Sequence, residues 1–381
     1  MKTTLKPVFL ASALLAGTAV AVGVMPHAQP TKPLTPTSTQ TPATSGATST
    51  SHKPKIEVVF VLDTTSSMTG LIDAAKSNIW SIARTMASAQ PAPEMNMGLV
   101  AFRDRGDAYL TKIMNLSTDL DSMYASLMDL RAEGGGDGPE DVNAALNAAI
   151  NTIQWSQDAS SYKVIFLVGD APPHMDYPDE TKYPELLKQA QAKGIVVNCI
   201  QAGNQADTRS TWEQIASLNQ GKFLQVEQSG NAIAVTTPFD EKLAQLAKAM
   251  DETRLFYGDA EKRKSLDTKV KAAEKVHAAT PAAVQAKRAE FNASAAGAAN
   301  FLADSELVDA VSSGKVKLDE LKKNQLPAPL QSMDLKEQAA ELDRQATRRK
   351  VIKDEIAKLG AQRQDYIKSK ISEEKVETSL D

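Results

Sequence analysis

The stretch that decides the fold is IEVVFVLDTTSSM, residues 56–68. Its first seven residues form a run of mostly branched apolar side chains, which is typical of a buried strand. The run stops at a carboxylate, Asp63, and four hydroxyl side chains follow it before a helical pattern begins. A strand that ends in polar side chains just ahead of a helix is typical of an α/β sheet, in which ligands bind at the carboxyl ends of the strands.

Short β-branched runs alternate with helical patterns as far as about residue 236, which predicts a doubly wound, mostly parallel α/β sheet over residues 55–236. Apolar residues at helical spacing predict helices over 72–86 and 142–153. The second and third strands are too close in sequence for a crossover helix, so we expect them to form an antiparallel hairpin at the sheet edge. The predicted strands are 56–62, 97–102, 109–114, 164–168, 195–200 and 223–226.

Beyond Pro238 the strand patterns disappear, and Ala, Lys, Glu and Gln dominate. We therefore predict an all-helical C-terminal region over residues 237–381. The apolar stripe of its last helix is narrow and interrupted by polar residues, so we expect an appendage rather than a strong coiled coil. The predicted helices are 239–256, 259–278, 281–296, 304–312 and 334–372.

The N-terminal residues predict export. Residues 1–28 combine a positively charged start, an uncharged apolar stretch and the small-residue signal Ala19-Val20-Ala21, which together are typical of a signal peptide. The apolar stretch is nearly long enough to cross a bilayer, so an uncleaved N-terminal anchor that tethers the chain to a membrane is the alternative. Residues 29–54 are rich in Pro, Thr and Ser and predict a disordered linker. Either alternative places the rest of the chain outside the cytoplasm, as a periplasmic, secreted or membrane-anchored protein.

The charges and the cysteine content exclude several classes of function. The 381 residues carry 43 basic and 47 acidic side chains, so no basic excess predicts a nucleic-acid partner. The acidity is local, because residues 56–236 hold 22 acidic and 12 basic side chains. A single cysteine, Cys199, excludes an intrachain disulfide framework, and its apolar surroundings predict a buried, inert thiol.

Three loops that we place at one edge of the sheet carry oxygen ligands. The first holds Asp63, Thr65 and Ser67, the second is GGGDGPED at residues 134–141, and the third begins with Gly169 and Asp170. Carboxylates and hydroxyls without imidazole or thiolate suit a hard divalent cation such as Mg²⁺. The sequence therefore predicts a metal site at this edge.

The same residues resemble the metal-ion-dependent adhesion site of von Willebrand factor A domains, in which D-x-S-x-S is followed by a threonine and then an aspartate. In that family the site holds Mg²⁺ or Mn²⁺, and an acidic residue of a partner protein completes it. The resemblance implies that Asp63, Thr65, Ser67 and Asp170 hold the cation, with Thr65 in place of a serine. It also implies a protein partner that presents an acidic residue, and a binding protein rather than an enzyme.

The glycine-rich loop departs from the family pattern, because the threonine is missing and Asp137 or Glu140 stands in its place. An acidic loop of this kind resembles a subgroup that includes hemicentin-like extracellular proteins and bacterial exported relatives. We prefer Asp137 as the ligand, since the glycines beside it allow unusual backbone angles, whereas Glu140 suits the first turn of the following helix. An additional carboxylate would favour Ca²⁺ or Mn²⁺ over Mg²⁺.

Two alternatives to this metal-dependent adhesion or scaffold protein stay open. A haloacid-dehalogenase-like phosphatase also has an Asp after its first strand and a Gly-Asp after its fourth, but its general acid would fall on Thr65. The second alternative is a structural protein that interacts without metal.

Near the predicted site we expect Asp104 and Asp107 to line the rim, Arg105-Gly106-Asp107 to form a turn, and His174 to be a loop histidine.

Overall fold

The computed structural model describes residues 54–89, 91–136, 138–228 and 236–379, and only the backbone of residues 371–379. The predicted signal peptide or anchor at 1–28 and almost all of the predicted linker at 29–54 lie outside these residues. Within the described ranges, no helix combines the length and the apolar character needed to cross a membrane.

A six-stranded sheet with the order β3-β2-β1-β4-β5-β6 forms the centre of the α/β part. All neighbouring strands are parallel except β2 and β3, which confirms the predicted antiparallel edge hairpin. The third strand was predicted two residues too early, because Tyr109 and Leu110 still belong to the hairpin connection. The strands are β1 Lys55–Asp63, β2 Glu94–Phe102, β3 Thr111–Ser117, β4 Tyr162–Gly169, β5 Ile195–Ala202 and β6 Phe223–Val226.

Helices cover both faces of the sheet, as expected for a doubly wound fold. Val58 and Leu62 of β1 belong to the hydrophobic core on one face, whereas Val59 and Val61 belong to the core on the other. Because both faces are covered, β1 is apolar at successive positions instead of alternating. The helices are α1 Thr69–Ala87, α2 Leu120–Asp129, α3 Val142–Asn147, α4 Tyr183–Ala192 and α5 Ala206–Leu218.

The region after Pro238 is helical, as predicted, although several helix bounds differ. The helix predicted over 281–296 ends early, and a second short helix follows it after a turn at 294–297. Three short 3-10 turns lie between residues 318 and 330, ahead of the long last helix. The helices are α6 Asp240–Asp251, α7 Ala260–Ala279, α8 Ala282–Ala293, α9 Ala298–Leu302, α10 Leu307–Ser312 and α11 Leu335–Ser379.

The expectation that this helical region is a mere appendage is wrong. Helix α7 packs on α2, and α8 packs between α1 and α6. Phe291 of α8 belongs to the same core as Trp80 of α1, with the two ring centroids 5.9 Å apart. Arg288, which is fully buried, forms two hydrogen bonds of 2.6 and 2.7 Å to the carboxylate of Asp121 in α2. The helical region is therefore joined to the sheet by a hydrophobic core and by buried ion pairs.

Candidate metal centre at the carboxyl end of the sheet

The strand order reverses between β1 and β4, and this is the point at which open α/β sheets bind ligands. Asp63 is the last residue of β1, and Asp170 directly follows β4. Their side chains are 1% and 4% exposed. A Cβ atom on Gly169 would lie only 3.0 Å from the Cβ of Asp63 and 3.1 Å from its Oδ2. The absence of a side chain at Gly169 thus lets the two carboxylate-bearing strand ends lie side by side.

The turn after β1 orients the carboxylate of Asp63. The backbone N–H and the hydroxyl of Thr65 both donate hydrogen bonds to Asp63 Oδ1, at 2.8 and 2.7 Å. The hydroxyl oxygens of Thr65 and Ser67 are 3.4 Å apart. Burial raises the pKa of Asp63 to about 7, helped by the charge of Asp170 and opposed by the hydrogen bonds from Thr65. The predicted D-x-T-x-S group therefore converges on one buried carboxylate.

Glu140 is the acidic residue of the glycine-rich loop that the structure brings to this group. Its side chain lies near that of Thr65, because a Cβ on Gly135 would lie 3.1 Å from Glu140 Oε1 and 3.2 Å from the Cβ of Thr65. Burial raises the pKa of Glu140 to about 9, reinforced by the charges of Asp63, Asp104 and Asp107 and opposed by Thr65. Glu140 is 4% exposed, although we expected it to serve only in the first turn of a helix that in fact begins at Val142. The preferred residue, Asp137, lies outside the described residues, so its role stays a prediction.

The backbone of Glu140 is paired with the loop that follows Asp170. Its N–H donates to Pro172 O, and its carbonyl accepts from His174 N, both at 3.0 Å. These two bonds form a short parallel bridge between the two loops. The loops that carry Glu140 and Asp170 therefore hold each other in place.

Gln228 is a site residue that the sequence did not predict. Its side-chain amide donates to Asp170 Oδ2 and, at 3.1 Å, to the backbone carbonyl of Ser67. It lies just after β6, two strands away from β4, and a lone glutamine at that place carries no motif. The sequence offered one clue to its role, which is that β6 ends at the same edge of the sheet as β1 and β4.

A layer of aromatic and charged side chains forms the rim of the site. The Arg105 guanidinium lies 4.0 Å above the centre of the Tyr177 ring, and Tyr177 stacks on His174 with ring centroids 4.1 Å apart. The Tyr177 hydroxyl donates to Asp104, and Asp107 accepts a 3.0 Å hydrogen bond from Gly135 N. As expected, Asp104 and Asp107 line the rim, and Arg105-Gly106-Asp107 is a turn.

His174 is a loop histidine, as expected, and it is buried. It is 5% exposed, and its Nδ1 lies 2.8 Å from a carboxylate oxygen of Asp176. Its Nε2 lies 3.6 Å from Asp104 Oδ2. The histidine thus joins the loop after β4 to the rim residues after β2.

The side chains at this edge carry the types of oxygen atom that bind a hard divalent cation. Asp63, Asp170 and Glu140 supply buried carboxylates, Thr65 and Ser67 supply hydroxyls, and Glu140 Oε2 is buried without a hydrogen-bond partner among the described residues. These are the oxygen ligands that Mg²⁺, Mn²⁺ and Ca²⁺ prefer. In the described ranges, no group of three His, Cys, Asp or Glu side chains is placed so that it could hold a metal ion by itself.

Comparisons with known proteins find similarity in the α/β part of the chain. Residues 57–237 match the family model of the von Willebrand factor A domain. A putative ariadne-like RING finger protein of Acanthamoeba polyphaga mimivirus is 22% identical over 198 residues, which are 48% of this chain and 19% of that protein. The chain thus spans under a fifth of the length of that curated relative.

Two solved structures are similar at low identity. The SpRpn10 VWA domain is 13% identical with a TM-score of 0.36, over 48% of this chain and 95% of that chain. Proximal thread matrix protein 1 from the mussel byssus is 16% identical with a TM-score of 0.36, over 47% of this chain and 43% of that chain. The similarity to the von Willebrand factor A domain thus covers the part of the chain that forms the six-stranded sheet, which is just under half of its 381 residues.

Proposed function

We propose that this chain is a protein-binding module that holds a divalent cation at the carboxyl end of its sheet. Domains of this family are generally interaction modules and not enzymes. The observation that carries the proposal is the meeting of Asp63, Thr65 and Asp170, all nearly fully buried, where the strand order reverses. The ion would be Mg²⁺, with Mn²⁺ and Ca²⁺ as alternatives, and it would supply positive charge for a carboxylate of the partner protein.

The chain's own residues have distinct roles in this proposal. Asp63, Thr65, Ser67 and Asp170 would hold the cation, and Asp137 is a further predicted ligand. Thr65 keeps the Asp63 carboxylate in one orientation through its two hydrogen bonds. Gln228 links Asp170 to the turn after β1 and so holds the two halves of the site together. No covalent bond is made or broken in this function.

We also propose that the module acts outside the cytoplasm, in adhesion or as an envelope scaffold. The support is the signal-like composition of residues 1–28 and the Pro/Thr/Ser-rich stretch at 29–54, which would give the module reach. An antibody against the folded part should detect it in the periplasmic, secreted or membrane fraction. Detection in the cytoplasm alone would contradict this part of the proposal.

The phosphatase alternative receives no specific support from the site. Thr65 stands where that class needs an acidic proton donor, and its hydroxyl instead donates to Asp63. A phosphate-release assay with a generic aryl phosphate and Mg²⁺ separates the two functions. Turnover that Asp63→Ala abolishes would favour the enzyme.

The binding proposal is tested with the full chain as an immobilised bait for extracytoplasmic proteins, in buffer with Mg²⁺ and Mn²⁺ or with a chelator. We expect the wild-type chain to retain a defined partner only when metal is present, and Asp63→Ala to lose it. Asp73→Ala is the matched control, because Asp73 is an acidic residue of α1 whose side chain is 71% exposed. Retention that is equal with chelator, or equal for Asp63→Ala, would contradict the proposal.

A further inference from the structure

We infer that a groove in the helical region is a second docking site, which takes a basic, amphipathic helical segment of a partner protein. The groove lies between α6 and α7 and is bordered by the start of α8. Its volume is about 910 Å³, at the upper end of the range of about 300–1,000 Å³ that ligand pockets have. All of its lining residues fall between Glu241 and Gln285, so the groove is separate from the residues that we propose to hold the cation.

The groove exists because α6 and α7 pack on different neighbours. Helix α6 packs mainly on α8 and α11, whereas α7 packs mainly on α2. Leu243 and Leu246 of α6 belong to the core of the helical region, and Val276 of α7 belongs to the core that it shares with the sheet. Each helix therefore turns a second face to the groove. Those faces consist of Glu241, Ala244, Gln245 and Lys248 on α6 and of Val270, Ala273, Glu274 and His277 on α7.

The groove has the dimensions of a helix of about three turns. Its lining on the α6 side runs from Glu241 to Glu252, which is about 16 Å at 1.5 Å per residue. Ala244 and Ala273 line it with small side chains that leave room for a partner, and Val270 adds apolar surface. A partner helix that binds in a groove uses apolar anchors at helical spacing. The shape and the apolar lining thus fit the apolar face of an amphipathic helix.

One part of the groove wall is a polar cluster whose groups already bind each other. His277 Nε2 lies 2.7 Å from Asp251 Oδ2, and its Nδ1 lies 3.1 Å from Gln285 Oε1. The amide of Gln285 donates to the carbonyls of His277 and Thr280 at 3.1 and 2.9 Å. Arg254 Nη2 lies 3.2 Å from Asp251 Oδ1. Because these groups engage one another, this part of the wall is preformed, and the choice of partner falls to the exposed charges around it.

The exposed charges around the groove are mostly acidic. They are three glutamates and one lysine, namely Glu241, Glu252, Glu274 and Lys248. Glu252 is paired with Arg348 at 2.9 Å, whereas Glu241 and Glu274 form no ion pair with any other residue that the structure describes. Lysine or arginine side chains beside the apolar face of a partner helix would complement this acidic excess, and acidic side chains would be repelled. The groove therefore favours a basic partner.

The test measures the binding of two fluorescein-labelled peptides to the full chain in buffer that contains a chelator. Each peptide has about 15 residues, which is long enough to form a helix. One has leucines at helical spacing with lysines between them, and the other has glutamates in place of the lysines. We expect the lysine peptide to bind saturably at a single site, more weakly when salt is added, and the glutamate peptide not to bind. Because chelator removes divalent cations, this result does not depend on the proposed function of the metal centre.

Reversing the charges of the groove should weaken the lysine peptide. We expect a loss of at least about fivefold for Glu241→Lys combined with Glu274→Lys, because each exposed attraction is modest but becomes a repulsion. The matched control is Glu185→Lys combined with Glu213→Lys, which changes the net charge equally at exposed residues that do not line the groove. Circular dichroism checks the fold of both double variants. Equal weakening by the two double variants, or equal binding of the two peptides to the wild type, would overturn the inference.

A cysteine in the groove locates the bound peptide. Gln245 is exposed and lines the groove, and the native Cys199 is fully buried, so the thiol of Gln245→Cys is alkylated selectively in the folded chain. The lysine peptide should slow this alkylation several-fold, whereas Glu185→Cys should react at an unchanged rate. If saturating peptide leaves the alkylation of Gln245→Cys unchanged, the peptide does not occupy the groove and the inference is wrong.

Discussion

At the scale of single residues, the site depends on where side chains are missing as much as on where they are present. Gly169 lets Asp63 lie against the end of β4, and Gly135 lets Glu140 reach Thr65. Gly135 also has a φ of +78°, a conformation that L side chains rarely adopt. Both glycines therefore serve the geometry of the site, although neither carries any chemistry.

Gly135→Ala should destabilise the protein and weaken metal binding. The positive φ alone costs about 1–2 kcal/mol for a residue with a Cβ, and the new methyl would press on Glu140 and Thr65. Gly136→Ala is the matched control, because a Cβ there meets nothing within 4 Å. Urea unfolding and metal titration of both variants check the prediction. If Gly135→Ala and Gly136→Ala have the same stability and the same metal affinity, the conformation of this loop does not shape the site.

The sequence was sufficient to predict Asp63, Thr65, Ser67 and Asp170 as neighbours, because each is tied to the end of a strand in an apolar run. It was not sufficient to choose between Asp137 and Glu140, since only two residues separate them in the same loop and loop conformation is set by packing. The bridge to Pro172 and His174 brings Glu140 inward, and that contact joins segments with no shared pattern. Gln228 escaped prediction for the same reason.

At the scale of elements, helices α2, α6 and α8 are joined by a chain of buried charges. Arg288 of α8 contacts Asp121 of α2 and, at 2.8 Å, Asp251 of α6. Lys269 of α7 adds a 2.6 Å ion pair with Asp119, just before α2. In the sequence these residues are ordinary charges of amphipathic helices, and Arg288 and Asp121 are 167 positions apart. The docking of the helical region was therefore not predictable from periodicity.

Arg288→Ala should destabilise the full chain by about 3–5 kcal/mol, because removing one partner of a buried ion pair leaves uncompensated charge. Arg344→Ala is the control. Arg344 is 72% exposed and paired with Glu341, so its loss should cost at most about 1 kcal/mol. Urea unfolding at neutral pH measures both. A loss below about 1 kcal/mol for Arg288→Ala would contradict the structural role of the network.

The loss of unfolding free energy caused by Arg288→Ala should be smaller at acidic pH than at neutral pH. The charge of Arg288 lowers the pKa of both Asp121 and Asp251 in the folded protein, against the opposing effect of burial. Their contribution to stability is thus present above the unfolded pKa of about 3.9 and is lost as the pH falls further. The difference in urea midpoint between wild type and variant should be smaller at pH 3 than at pH 7. A difference that grows in acid would contradict the assignment.

At the scale of the whole molecule, the α/β part and the helical region share one core. Val276, Val284 and Phe291 of α7 and α8 belong to the hydrophobic cluster that contains Trp80 and the first face of the sheet. The sequence allowed prediction of the doubly wound sheet and of a helical C-terminal region. It did not show that the helices complete the core, because the apolar face of a helix does not reveal which surface of the protein it packs against.

The metal-free full chain should unfold in a single transition, since separating the helices from the sheet would expose Trp80 and the buried charges. Calorimetry together with tryptophan fluorescence and circular dichroism at the same temperatures measures this. Coincident curves are the expected result. Two well-separated transitions would show that the sheet and the helical region are independent units.

The central claim, a divalent cation held by Asp63 and its neighbours, is tested most directly by the melting temperature of the chelator-treated chain with and without added Mg²⁺, Mn²⁺ or Ca²⁺. A ligand that binds only the folded state stabilises it by about 2.7 kcal/mol at 100 times its dissociation constant. We predict that an added ion raises the melting temperature of the wild type and of Asp73→Ala by several degrees, and that chelator reverses the rise. Asp63→Ala should keep its fold but show no rise. A wild-type melting temperature that no ion moves would contradict the account.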